Sequence, residues 1–331
     1  MSSSIFTSEN LRAYLQLPRD TRLWHAKVVA VLVVVYFAGY QLCAALDTHD
    51  KNPFSLWMAD ALTPKTEVAF IGTSHVFCGA KPDEFPWESR NMCDAGLDYE
   101  MLSRILARQL DGLANLKAAV IEYDSFPMMQ DSVARRQMDY SSFFGWGLKD
   151  EDLPEYARYK VPSTWAGALI PPSRLTPVSL IKKLTRTITA IAMKRQPLPG
   201  FLDSKEVSAP EAGVSYAGWY ARTLRPDRIE VNRQSLVDMV RRLRERGVRV
   251  ALLEFPQLRS YRENVPKTWK TELETTAGLI QKQWPGVQVW FMSADPAFET
   301  SDFRDPGHLN TAGAIKLSKM IAPKIDAMRR E

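Results

Sequence analysis

Histidine is scarce in this chain: His25, His49, His75 and His308 are the four in 331 residues. Chemistry that moves protons through imidazole therefore has few places to reside. The segment Asp305-Pro306-Gly307-His308 is the strongest of them. A carboxylate three residues before an imidazole, across a Pro-Gly turn, can fix the ring's tautomer and stabilise its protonated form from a single loop. Such a pair activates a hydroxyl, and Gly72-Thr73-Ser74-His75 offers one. Val68-Ala69-Phe70-Ile71 reads as a buried strand, Gly72 ends it, and Ser74 enters a helix. A serine at that point sits at the sheet edge where α/β proteins bind ligands. The helix N-terminus there offers unpaired N–H groups to a developing oxyanion. The plainer reading of Gly-Thr-Ser is a helix cap. His75 adjoins Ser74 and is poorly placed to share one proton with it. It is expected in the pocket wall or supporting the site, as is Asn310 beside His308. The histidines and the three cysteines show no ligand spacing, so neither metal nor cofactor is expected.

Groups so far apart in sequence need a sheet to bring them together. Ala118–Ile121, Val248–Leu253 and Val287–Phe291 read as further buried strands. Helical periodicity runs through 98–112, 232–246, 267–283 and about 311–328. Strands alternating with helices of this length predict an α/β fold, a parallel sheet flanked by helices. Between about 125 and 227 the rhythm breaks over ten prolines, and this stretch is read as an insertion of about 100 residues. Within it, residues 179–195 place Leu180, Ile181, Leu184, Ile188 and Ile191 on one helical face. That face suits a membrane surface, a partner, or the chain's own core.

Hydrophobic residues at 45% and charged residues at 24% exclude a mostly disordered chain. A net charge of +5 is too dilute to indicate nucleic acid. Mean hydropathy of −0.24 excludes a polytopic membrane protein but not a single span. Val28–Leu46 is such a span, 19 residues without a charge. As a helix it would reach roughly 28 Å. Arg12, Arg19, Arg22 and Lys27 precede it and Asp47 and Asp50 follow it, which puts the N-terminus in the cytoplasm. An uncleaved anchor is expected over a signal peptide, whose apolar core and charged leader are shorter. The expected organisation is a cytoplasmic segment 1–27, an anchor 28–46, a linker 47–65 and an extracytoplasmic domain 66–331, in the periplasm or outside the cell.

The GTSH and DPGH segments, in that order, resemble the first and last blocks of the SGNH (GDSL-like) hydrolases, with Thr73 where Asp is usual. The resemblance spans about 66–125 and 230–328. It implies Ser74 as nucleophile, His308 as base and Asp305 as its orienting carboxylate. It also implies an oxyanion hole from the N–H groups of Ser74 and Gly96. The family's third block supplies an Asn donor, but the matching strand end here reads Glu122-Tyr123-Asp124. That departure, with the anchor, resembles the membrane-anchored SGNH-like proteins of teichoic-acid D-alanylation and exopolysaccharide O-acetylation. Those work beside a multipass MBOAT-type acyltransferase. The resemblance implies a serine acyltransferase that moves an acyl group, acetyl by preference, to a polysaccharide or cell-envelope glycan. A carbohydrate O-acetylesterase and a non-catalytic glycan-binding or scaffold protein are the alternatives.

Cys78 and Cys93 would both lie outside the cytoplasm, where disulfides persist. They either pair, contributing on the order of 3 kcal/mol, or remain two buried thiols. Cys43 lies in the span and cannot join them. The expected topology has a direct test: a reporter fused after Glu331 is active only when exported, and activity in the cytoplasm would rule the topology out.

Overall fold

The computed structural model describes residues 18, 20–21, 23–25, 27–28, 62–132 and 207–330. Of the expected span only Val28 is among them, and the 179–195 helix lies outside them. Among the described residues no helix is long and apolar enough to cross a membrane. Residues 1–51 form one compact unit and residues 52–331 a second, to which every element below belongs.

Five strands build the sheet: β1 (Val68–Gly72), β2 (Ser89–Cys93), β3 (Ala118–Glu122), β4 (Arg249–Glu254) and β5 (Gln288–Phe291). All pair in parallel, in the order β2-β1-β3-β4-β5. β1 and β3 are buried throughout, which is why they read as continuous apolar runs and not as alternation. β2 is the strand that apolar patterning does not reveal. It is an edge strand whose Ser89 and Asn91 are buried and donate to nearby backbone carbonyls, while Asn91 Oδ1 is buried without a hydrogen-bond partner. Ser89 Oγ donates to the Pro82 carbonyl at 2.8 Å, and Asn91 Nδ2 to the Ala80 carbonyl at 3.2 Å.

The helices are α1 (Ser74–Gly79), α2 (Tyr99–Gln109), α3 (Ser125–Met129), α4 (Ala212–Thr223), α5 (Ile229–Glu245), α6 (Arg259–Arg262), α7 (Lys267–Gln283) and α8 (Thr311–Arg330). Asp98 caps α2, accepting from the Met101 N–H at 2.9 Å. Leu236, Met239, Val240 and Leu243 recur at helical spacing on α5 and are fully buried, where α5 packs on α2. α8 packs on α1 and lies against β3 and β4.

Both described ends of the expected insertion are packed into this domain. Phe126, Met128 and Met129 of α3 are buried. Asn232 donates to the carbonyls of Met128 and Gln130, and the Arg225 N–H to that of Met129. Pro127 sits in the first turn of α3 and Pro226 opens a 3₁₀ turn, so here the prolines start helices.

Strand order reverses direction between β1 and β3, opening a crevice at their C-terminal ends. Gly72 stands level with Cys93 of β2, and Ile71 with Ile121 of β3. The segments after these strands, Thr73–His75, Asp94–Gly96 and Tyr123–Asp124, therefore share one edge. A short antiparallel pair, β6 (Phe303–Asp305) and β7 (His308–Leu309), precedes α8. Asp305 pairs directly with His308 across the two-residue Pro306-Gly307 turn, so their side chains are neighbours.

Gly72 leaves no room for a side chain. A Cβ there would stand 2.5 Å from Glu122 Cβ and Oε2 and from Val76 Cγ2. Gly72→Ala is expected to cost about 1–3 kcal/mol, measured by denaturant unfolding; an unchanged midpoint would contradict this packing.

Candidate active site

Ser74 is the first residue of α1 and is partly exposed. Its Oγ lies 2.8 Å from His308 Nε2, and His308 Nδ1 lies 2.7 Å from Asp305 Oδ1. The second oxygen of Asp305 takes two hydrogen bonds from Arg304, at 3.1 and 2.9 Å, and Oδ1 also accepts from the Gly307 N–H at 3.1 Å. Burial raises the Asp305 pKa, but the hydrogen bond and charge of His308, with those of Arg304, outweigh it and hold the carboxyl well below its usual range. An ionised carboxylate only accepts, so Nδ1 of His308 carries the hydrogen. Burial lowers the His308 pKa and Asp305 raises it; the nearby charges of His75 and Arg304 add to the lowering, and the balance is downward. His308 is then neutral at neutral pH, and its free Nε2 is placed to accept a hydrogen bond from the Ser74 hydroxyl.

Thr73 precedes α1 but does not cap it with its side chain. Its N–H and its hydroxyl both go to Glu122, at 2.5 Å to Oε2 and 2.8 Å to Oε1. Glu122 ends β3 with no solvent exposure. His75 Nδ1 lies 3.0 Å from Glu122 Oε1 and 3.9 Å from Asp124 Oδ2. Burial pulls the His75 imidazole down, but the charge and hydrogen bond of Glu122, with Asp124 and Asp305 beyond, raise it from 6.5 to about 9. Burial raises Glu122, and His75 and the two Thr73 donors more than reverse this, leaving it below the ordinary carboxylate value. Asp124 also accepts from Gln257 Nε2 at 2.6 Å. The rings of His75 and His308 are 4.9 Å apart.

Gly96 is buried beyond the end of β2, with a φ of 77° that side chains disfavour. Ser132 holds its turn. Ser132 Oγ donates to the Gly96 carbonyl at 3.2 Å and accepts from the Asp98 N–H at 2.5 Å, while the Ser132 N–H donates to Asp98 Oδ2 at 2.8 Å. Asn310 caps α8: its Oδ1 accepts from the Gly313 N–H at 3.0 Å and its Nδ2 donates to the Ser301 carbonyl at 2.7 Å. It steadies the turn that carries His308 without reaching the site through these bonds. Cys78 and Cys93 are separate buried thiols with no bridge between them. Burial pushes Cys78 up to about 12 and Cys93 well above its ordinary value, which suits inert packing.

An aromatic wall adjoins the turn. Phe126 and Phe255 flank His75, with ring centres 6.4 and 6.3 Å away. Tyr216 of α4 meets Tyr220 and Tyr261 edge-on at 4.8 and 5.5 Å. A Cβ on Gly307 would stand 3.2 Å from the Tyr216 ring and 3.3 Å from His75 Nε2. Among the described residues no group of three His, Cys, Asp or Glu side chains could hold a metal ion.

Sequence reasoning met Thr73 and Glu122 only as departures from family blocks, without a role, and missed Arg304 and the Tyr216 wall. Glu122 had a visible signal, an acid closing the apolar run Ala118–Ile121. Tyr216 had none, because it lies in a stretch without strand–helix rhythm. No protein-family model matches the chain, and no curated protein matches it.

The His75 proton ties stability to pH. Between 6.5 and about 9 the folded chain keeps a proton that the unfolded chain releases. This contribution is complete below 6.5 and is lost as pH rises through about 9. Unfolding midpoints measured from pH 6 to 9.5 are therefore expected to fall with pH in the wild type and to fall less in His75→Gln. Equal slopes would mean that His75 is not charged in the folded chain.

Proposed function

We propose that this chain is a serine acyltransferase of SGNH type, anchored by Val28–Leu46 with its sheet domain outside the cytoplasm. The observation that carries the reading is the continuous relay from Ser74 Oγ through His308 to Asp305, with contacts of 2.8 and 2.7 Å. His308 Nε2 removes the Ser74 hydroxyl proton as Oγ forms a bond to the acyl carbonyl carbon. The oxyanion that forms faces the N–H of Ser74, which as a first-turn group has no intrahelical acceptor. The Gly96 N–H is assigned as second donor. The Thr73 N–H is not available, since Glu122 already holds it. Collapse of the adduct breaks the bond to the leaving group, which takes the proton from His308. An acceptor hydroxyl then gives its proton to His308, attacks the acyl-serine, and the proton returns to Ser74.

A glycan hydroxyl is the acceptor favoured by the aromatic wall. Pockets that orient a ligand combine apolar and aromatic surface with a few polar groups. Tyr216 lies against the Gly307 turn, and exposed Trp219 lies beside it on α4. The acyl group is acetyl by preference. Activated acyl thioesters are cytoplasmic and Ser74 is placed outside, so the reading includes a multipass membrane partner of MBOAT type that passes the acyl group across.

Treatment of the purified full chain with p-nitrophenyl acetate is expected to leave an acetyl group on Ser74, read by peptide mass spectrometry. Ser74→Ala and His308→Ala abolish the label while keeping the wild-type unfolding midpoint to within about 1 kcal/mol. Asp305→Asn retains a residual rate, reduced by about 10⁴, because it disturbs the tautomer and spares the nucleophile. A folded wild type that takes no label would sink the acyl-enzyme reading, and release of acetate to water without any glycan acceptor would move it to an esterase.

A further inference from the structure

Two histidines meet at this pocket, and the relay uses one. The other, His75, is buried on α1 and enclosed by groups from five other segments. Glu122 at the end of β3 lies 3.0 Å from its Nδ1 and Asp124, before α3, lies 3.9 Å away. Asp305 of β6 adds a more distant negative charge. His308 of β7 stands ring to ring with it at 4.9 Å. Phe126 of α3 and Phe255 after β4 supply apolar walls. Arg304 of β6 is bonded to Asp305 Oδ2 at 2.9 Å and its charge also acts on His308.

A plain structural role would be to pin α1 to β3. That pin exists without the imidazole, because Thr73 makes two hydrogen bonds to the same carboxylate. What the imidazole adds is charge, and His308 stands ring to ring with it at 4.9 Å. We propose that His75 is a positioning residue for the reaction of Ser74. Held as an imidazolium between Glu122 and Asp124, it sets a fixed positive charge beside His308 and keeps that ring in its neutral, proton-accepting form to lower pH. The proposal rests on the acyl-transfer reading for its purpose, but the charge arrangement stands apart from it. A like charge a few ångströms away disfavours protonation of the neighbouring ring. The directions of the shifts agree, with His75 raised and His308 lowered.

With four histidines in the chain, ring resonances of the isotope-labelled full chain in detergent can be assigned by single substitutions. Titration is expected to show His308 losing its proton below 6.5 and His75 keeping its own to about 9. The reverse order would overturn the proposal. In His75→Gln the His308 titration moves to higher pH, and so does the acid limb of kcat/KM for acetylation by p-nitrophenyl acetate. His75→Lys, which restores a cation beside Glu122, brings both back toward wild type. Glu122→Gln, which releases the His75 proton, produces a smaller shift in the same direction and serves if His75→Gln does not fold. A purely structural role lowers the whole profile and leaves the limb and the His308 titration in place, which would also overturn the proposal. If the wild type takes no acetyl group, the acyl-transfer reading fails, and the two resonance titrations still decide the charge arrangement.

Discussion

A carboxylate with no access to water ends the third strand, and the local structure follows from the need to satisfy it. Leaving such a charge unpaired costs several kcal/mol even after relaxation. Glu122 is met by the N–H and hydroxyl of Thr73 and by His75, all from the turn after β1. Three consequences follow. Thr73 cannot cap α1 with its side chain, because its hydroxyl is engaged. Gly72 cannot carry a side chain, because Glu122 occupies that space. Ser74, flanked by the two residues that grip Glu122, has little freedom to leave the edge of the sheet.

The site therefore contains two imidazole–carboxylate pairs of similar geometry, 2.7 and 3.0 Å, whose pKa values are shifted in opposite directions. Their surroundings account for the difference. Asp305 shares its charge with Arg304, and His308 also feels two nearby cations, so its proton is weakly held. His75 faces two carboxylates, so its proton is strongly held. In the proposed mechanism the same two chemical groups serve as a base in one place and as a source of field in the other.

Much of the sheet could be read from residue order because β1, β3 and β4 are short apolar runs between helices of clear periodicity. The positions of Ser74, Asp305 and His308 were legible for a related reason, since strand ends and a Pro-Gly turn are punctuated in sequence. β2 escaped because its buried Ser89 and Asn91 donate to the Pro82 and Ala80 carbonyls, which no hydropathy pattern records. Glu122 was noticed as a departure from a family block, yet its partner was not, because His75 was judged against Ser74 beside it in sequence rather than against β3 beside it in space. α4 escaped because its place beside the Gly307 turn depends on tertiary contact alone.

The last tether before residue 133 and the first after residue 206 both fasten to this same region. Ser132 is bonded into the Gly96 turn, and the Ser208 N–H donates to the Phe303 carbonyl at the start of the hairpin that carries Asp305 and His308. Both moorings are hydrogen bonds to the backbone, at the Gly96 carbonyl and at the Phe303 carbonyl. A change at either mooring is therefore felt first at the Gly96 turn or at the hairpin of Asp305 and His308.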